Sequence, residues 1–196
     1  MPTRKFPRPK FPPLIVTPWA WPSELPEIRS VIYRTGPNAP PAEDKRQKAV
    51  NLMEAWKLRG RLPHAMDATC LLLNAILNGQ NSGVTPLSAR SVYAVAWARF
   101  VTGFCDIGKN AAISKSMFKV AHEIGMPEYF VELRHDIAHQ GLPSMQRLAQ
   151  AAEEGMAWLW THFWVDLETK GVIPQPQTQS ECSWGSSDTT MEDYSP

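Results

Sequence analysis

A chain of 196 residues with 43% hydrophobic content can bury one good core that carries tails at its ends, and a single domain is expected. Twenty lysines and arginines stand against 19 acids, so no global basic field announces a nucleic-acid partner, and any RNA contact must come from local patches. No apolar run approaches a membrane span, the N-terminus lacks the apolar core of a secretory signal, and the three cysteines have no metal-ligand spacing; a soluble intracellular protein with reduced thiols and no membrane partner is expected.

Residues 1–13 carry Arg4, Lys5, Arg8 and Lys10, no acid and five prolines, the composition of an extended basic arm. Leu14-Ile15-Val16, Pro18-Trp19 and Trp21-Pro22 read as an extended strip that lays aromatics on the core. A short helix over 23–33 then places Leu25, Ile28 and Ile32 on one side. After a loop at 35–41, helix follows helix. Over 42–59, Ala49, Leu52, Met53 and Trp56 keep the i, i+3, i+4, i+7 spacing, and Gly60 is a natural stop. Pro63 opens the next helix, whose stripe of Met66, Thr69, Cys70, Leu73, Ile76 and Leu77 ends at Asn78-Gly79. A third, over 86–107, repeats the pattern with Tyr93, Trp97, Phe100, Val101 and Phe104.

Ser114 or Ser116 can cap a helix holding Met117, Val120 and Ile124, which Gly125 ends. Pro127 starts a helix that turns Tyr129, Phe130, Leu133 and Ile137 inward and stops at Gly141. The closing helix, over 143–170, would be about 42 Å long and the backbone of the bundle, with Met145, Leu148, Ala149, Ala152, Met156, Leu159, Trp160, Phe163 and Leu167 as its stripe. Beyond it, residues 171–196 are rich in Pro, Gln, Ser and Thr, with four acids and no base: an acidic, solvated tail. No stretch alternates as a strand, so the fold class expected is an all-α helical bundle over 14–170.

The stretch most suited to chemistry ends the helix begun at Pro127. Arg134, His135 and His139 fall within six positions; the two imidazoles lie one above the other, and the guanidinium sits about 100° away. Two imidazoles can supply a base and an acid, and a guanidinium can grip a phosphate in a fork, which suffices for metal-free cleavage of RNA by its own 2′-hydroxyl. The helix end favours positive charge on the later histidine, which makes His139 the acid and His135 the base. Two readings compete: arginine and histidine on an exposed helical face are commonly just solvated surface, and histidines four apart are half of a familiar zinc site, here without a third ligand in sequence reach. Lys57, Arg59, Arg61 and His64 form a basic cluster between two helices that can bind RNA phosphates, and Lys109, Lys115 and Lys119 form a weaker one.

The pattern Arg134-x4-His139 on a late helix resembles the signature of HEPN ribonucleases. Its context, Leu133-Arg134-His135-x-x-x-His139-x-x-Leu142-Pro143-Ser144, is similar to the Las-type nuclear endoribonucleases of pre-ribosomal RNA processing. Glu54-Ala55-Trp56-Lys57 with Leu62-Pro63-His64-Ala65, and the Gly125-Met126-Pro127 entry to the motif helix, extend the likeness over roughly residues 14–170. The resemblance implies an all-helical HEPN domain that forms a homodimer, with two motif helices facing each other in one composite site. It implies metal-independent, cofactor-free cleavage of pre-ribosomal RNA in the second internal transcribed spacer, leaving a 2′,3′-cyclic phosphate and a 5′-hydroxyl. The setting it implies is the nucleus, during large-subunit maturation, with a polynucleotide kinase as partner and no DNA substrate. Carried over, Arg134 and His139 are the HEPN catalytic pair, and His135 is the additional histidine of this branch. The chain departs from the branch in having Asp136-Ile137-Ala138 where a Glu-Ala-Thr type triplet is usual, and family members continue well beyond this domain. The alternative is a helical dimerisation and scaffold module of a nuclease–kinase complex, inactive in isolation.

Overall fold

A helix that is apolar on nearly every side has to be surrounded, and one segment of this chain meets that description. In the computed structural model, which describes residues 17–33, 45–107 and 115–167, helix α3 (His64–Gly79) buries Ala65, Met66, Ala68, Thr69, Cys70, Leu72, Leu73, Ala75 and Ile76. Around it stand α2 (Arg46–Arg59), α4 (Pro86–Ile107) and α7 (Met145–Leu159), all packed directly on α3. Helix α1 (Glu24–Tyr33) leans on α2, while α5 (Met117–Glu123) and α6 (Glu128–His139) pack on each other and on α4. Among the described residues there is no strand, and the fold is the expected all-α bundle. The basic arm, the 35–41 loop, Lys109 and the acidic tail lie outside the described residues.

The ends of these helices are set mostly by residues that sequence patterning picks out; Ser144, inside the span expected for the closing helix, is its cap instead. Pro63 and Pro127 precede α3 and α6, and Ser116 and Ser144 accept hydrogen bonds from the backbone N–H of Lys119 and Arg147, each at 3.3 Å, to cap α5 and α7. Gly125 (φ 69°) and Gly141 (φ 111°) take the left-handed conformation that ends α5 and α6.

The closing helix differs from expectation. It runs for 15 residues, about 22 Å, and then widens into a π-helical turn, Trp160–Trp164, in which the Val165 N–H donates to the Trp160 carbonyl at 2.9 Å. The extra residue in the turn shifts the phase, so Trp164 becomes fully buried while Phe163 is only half-buried. Three groups hold the π turn: the Trp164 indole N–H donates to Thr69 Oγ1 at 2.8 Å, Arg29 Nη1 donates to the Trp164 carbonyl at 2.8 Å, and Tyr33 packs at a tilt against Trp160 at 4.8 Å. The centre of the bundle is therefore α3, and the last helix flanks it.

Two stripe residues also differ. Leu52 is 37% exposed and Val50 is buried in its place; Tyr129 is 41% exposed and Val131 is buried, because each helix is rotated to meet neighbours on one side only. Of the N-terminal tryptophans, Trp19 is buried against Trp56 at 6.1 Å, whereas Trp21 remains 70% exposed.

Cys70 sits inside this core with its thiol 3.2 Å from Glu54 Oε1. Burial, reinforced by the adjacent Glu54 carboxylate, pushes the thiol up to about 12. At pH 8 the native protein should therefore leave Cys70 unalkylated by iodoacetamide over hours and label it promptly in denaturant, read by peptide mass spectrometry. Rapid labelling in the native state would contradict this packing.

Candidate functional site

Helix α6 is anchored through its first half. Phe130, Val131 and Leu133 are buried. The Phe130 ring lies 4.7 Å from Trp97 and 5.8 Å from Phe100, and its backbone carbonyl accepts a hydrogen bond from the Trp97 indole at 3.2 Å. One turn on, the polar residues begin.

Arg134 is half-buried, and its Nε donates to Thr102 Oγ1 on α4 at 3.2 Å. His135 and His139 are both exposed, with ring centroids 4.5 Å apart and planes inclined by 48°. The i, i+4 juxtaposition expected from the sequence is thus present as a tilted pair, with Arg134 on the adjoining face. Among the described residues neither imidazole has a hydrogen-bond partner, and no group of three His, Cys, Asp or Glu side chains could hold a metal ion.

The end of the helix is fixed more firmly than the histidines are. The Asp136 carbonyl accepts from the N–H groups of Gln140 (2.8 Å) and Gly141 (3.2 Å). The Asp136 carboxylate pairs with Arg147 of α7 at 3.1 Å, tying the two sides of the turn together. Arg90 reaches from α4 and donates through Nε to the Pro143 carbonyl at 2.8 Å and through Nη2 to that of Leu142. These carbonyls follow a glycine turn and precede a capped helix, so no helical partner is available to them, and the guanidinium supplies one.

The basic cluster between α2 and α3 is only partly free. Lys57 bridges Glu54 (2.9 Å) and Asp67 (2.8 Å), and its hydrogen bond holds the Glu54 carboxyl below the usual carboxylate range. Arg59 and Arg61 are exposed. His64 is half-buried, packed edge-on to Phe104 at 4.7 Å, with Nε2 3.3 Å from the Phe100 carbonyl; a carbonyl only accepts, so the proton sits on Nε2. A Cβ at Gly103 would lie 2.0 Å from the His64 ring, so glycine is what admits the imidazole against α4. His64 thereby faces the α4 side of the molecule, in an open cleft of about 390 Å³ that Thr102 also lines. Lys115 is taken up by Glu123 at 2.7 Å.

Thr102, Gly103 and Arg90 are the site residues that sequence reasoning passed over. Their signal was a polar residue and a glycine interrupting the aromatic stripe of α4, Phe100-Val101-Thr102-Gly103-Phe104, and an arginine on a face otherwise destined for burial.

The Las1-like family model matches residues 17–166, which takes in every element from α1 to the π turn. The chain belongs to the Las1-like family. It is 34% identical over 149 residues to the pre-rRNA-processing protein las1 of Schizosaccharomyces pombe, a match covering 76% of this chain and 30% of that protein. To the protein LAS1 of Saccharomyces cerevisiae it is 34% identical over 166 residues, 81% of this chain and 32% of the relative. The ribosomal biogenesis protein LAS1L of Mus musculus is 26% identical over 120 residues, 60% of this chain and 15% of the mouse protein. The Las1-like chain therefore spans about a third or less of the length of the relatives it matches.

In this Las1-like chain, replacing Arg90 by methionine would leave the Leu142 and Pro143 carbonyls without their donor. The expected loss is about 1–3 kcal/mol of unfolding free energy, measured by urea denaturation. An unchanged midpoint would mean that solvent satisfies the turn equally well.

Proposed function

We propose that this chain is the RNA-cleaving domain of a pre-ribosomal RNA processing protein. The observation that carries the reading is one guanidinium and two adjacent imidazoles on a solvent-facing helix end of a Las1-like chain. The relatives' names, which refer to pre-rRNA processing and ribosome biogenesis, support that substrate class. The reaction proposed is metal-independent cleavage in the second internal transcribed spacer. His135 takes the proton of the 2′-hydroxyl, whose oxygen attacks the adjacent phosphorus. Arg134 balances the negative charge that builds on the phosphoryl oxygens, and His139 gives a proton to the departing 5′-oxygen. The products are a 2′,3′-cyclic phosphate and a 5′-hydroxyl.

The working form of the site carries one proton between the two rings. Its rate should therefore pass through a maximum with pH and fall on both sides, since one histidine must be neutral and the other charged. Two copies would face each other through their α6 ends, and a polynucleotide kinase would then phosphorylate the new 5′ end in the nucleus. The greater length of the relatives favours a second reading, in which this domain dimerises and scaffolds while activity depends on segments outside it.

Cleavage of a spacer-derived RNA in EDTA, with and without the kinase, tests the proposal. We expect cyclic-phosphate ends, a bell-shaped pH profile and a loss of about 10²–10⁴-fold in His139→Ala. Cleavage that disappears with EDTA, or that survives in His139→Ala, would overturn the mechanism, and silence under all conditions would favour the scaffold. Light scattering at micromolar concentration should give twice the monomer mass.

A further inference from the structure

The contact between Arg134 and Thr102 decides how the arginine can meet a phosphate. A guanidinium grips an oxyanion in one of two ways: along its side, with Nε and one terminal nitrogen, or end-on, with Nη1 and Nη2. In this structure Nε is already donating to Thr102 Oγ1 at 3.2 Å. Among the described residues Arg134 has no other hydrogen-bond or ion-pair partner, so both terminal nitrogens remain available. We propose that Thr102 is a positioning residue for the RNA-cleavage reaction: by occupying Nε it selects the end-on fork and holds it beside the His135–His139 pair. The inference rests on the nuclease reading above and deepens it.

Three further observations fit this role. Thr102 belongs to α4, a different helix from Arg134, so the bond ties the motif to the body of the bundle and does not merely stabilise α6. Threonines 69 and 161 spend their hydroxyls on the carbonyl one turn back in their own helices, Ala65 at 2.7 Å and Ala157 at 3.2 Å, whereas Thr102 makes no such bond among the described residues. Its oxygen is therefore offered to the guanidinium, and its proton remains available. Finally, Thr102 is half-buried and lines an open cleft with His64, Asp67, Arg99 and Asp106, so the α4 surface that carries the acceptor is reached from solvent.

An isosteric Thr102→Val change removes the acceptor and keeps the shape. In the cleavage assay with the full chain, kcat should fall about 10- to 100-fold with KM little changed, because the loss is of aim rather than of charge. Thr102→Ser should restore most of the rate. In an Arg134→Lys background, where no Nε fork exists, Thr102→Val should cost almost nothing further. Thermal melting followed by circular dichroism separates these effects from unfolding. Equal rates for wild type and Thr102→Val, or equal losses in the valine and serine variants, would overturn the proposal.

A second readout needs no turnover. The Nε–H resonance of Arg134, identified by its absence in Arg134→Lys, should shift in Thr102→Val and hold in Thr102→Ser. A non-cleavable 2′-O-methyl dinucleotide should perturb the Nη protons of that residue and leave Nε in place. Movement of Nε in its stead would mean a side-on grip and would sink the idea. A wild-type chain silent in cleavage counts against the nuclease reading, while the resonance comparison still decides the grip.

Discussion

The aromatic junction between α4 and α6 carries the rest of the structure. Trp97, Phe100 and Phe130 are buried almost completely and meet edge-on or tilted, at 4.7 to 5.8 Å between ring centroids. Each such side chain contributes about 1.5–3 kcal/mol on burial, and each aromatic pair about 0.5–1.5 kcal/mol more. A hydrogen bond from a charged donor, such as that from Arg134 to Thr102, is worth about 1.5–3 kcal/mol net, less than the three buried rings and their contacts together. The comparison assigns the roles. Packing fixes where α6 lies on α4, and the polar contact one turn later only aims a side chain whose backbone is already in place. Phe104 and Trp158, 4.9 Å apart, extend the same cluster to α7. Gly155 lets α7 come close enough to join it, for a Cβ there would stand 3.0 Å from Leu72 and 3.1 Å from Trp97.

Charge is spent locally in this molecule, which explains how a near-neutral chain can still be a candidate for RNA. Lys57, the most promising cation of the α2–α3 corner, is committed to Glu54 and Asp67, and Lys115 is committed to Glu123. Arg90 and Arg29 serve backbone carbonyls that secondary structure leaves unpaired. Among the described residues, Arg134 keeps its terminal nitrogens free, and Lys45, Arg59, Arg61, Arg99 and Lys119 stand at the surface. In a chain of near-zero net charge, a contact of this kind depends on geometry more than on a broad attractive field.

Helix existence was legible in the sequence because this chain punctuates itself. Pro63, Pro127, Ser116, Gly125 and Gly141 all stand at the boundaries that local physics assigns to them. The His135–His139 pair was legible for the same reason, being a consequence of one helix alone. What escaped were the features that depend on two elements at once. The π turn at 160–164 is made by Trp164 seeking Thr69 of α3 and by Arg29 and Tyr33 of α1, and nothing within 160–164 records that demand. Thr102 and Arg90 matter through partners 32 and about 50 residues away in sequence, separations at which periodicity carries no information. Leu52 and Tyr129 sat on the expected stripes, yet their sides of the helix meet no neighbour able to cover them fully.

The contrast between the arginine and the histidines bears on how the proposed site would be completed. Arg134 is half-buried and tethered to α4, while His135 and His139 are exposed and, among the described residues, oriented only by each other. Acid–base catalysis draws much of its power from holding the proton donor and acceptor at fixed angles to the reacting atoms, and imidazoles are ordinarily held by a second hydrogen bond to the ring. Among the described residues no such second bond is made. A facing α6 from a second chain would bring carbonyls, hydroxyls and the other histidine pair to this side, and would also exclude the water that weakens the arginine–phosphate contact. On the proposed reading, the rigid half of the site is therefore built by the fold of one chain. On the same reading, the half that moves protons would be finished by association.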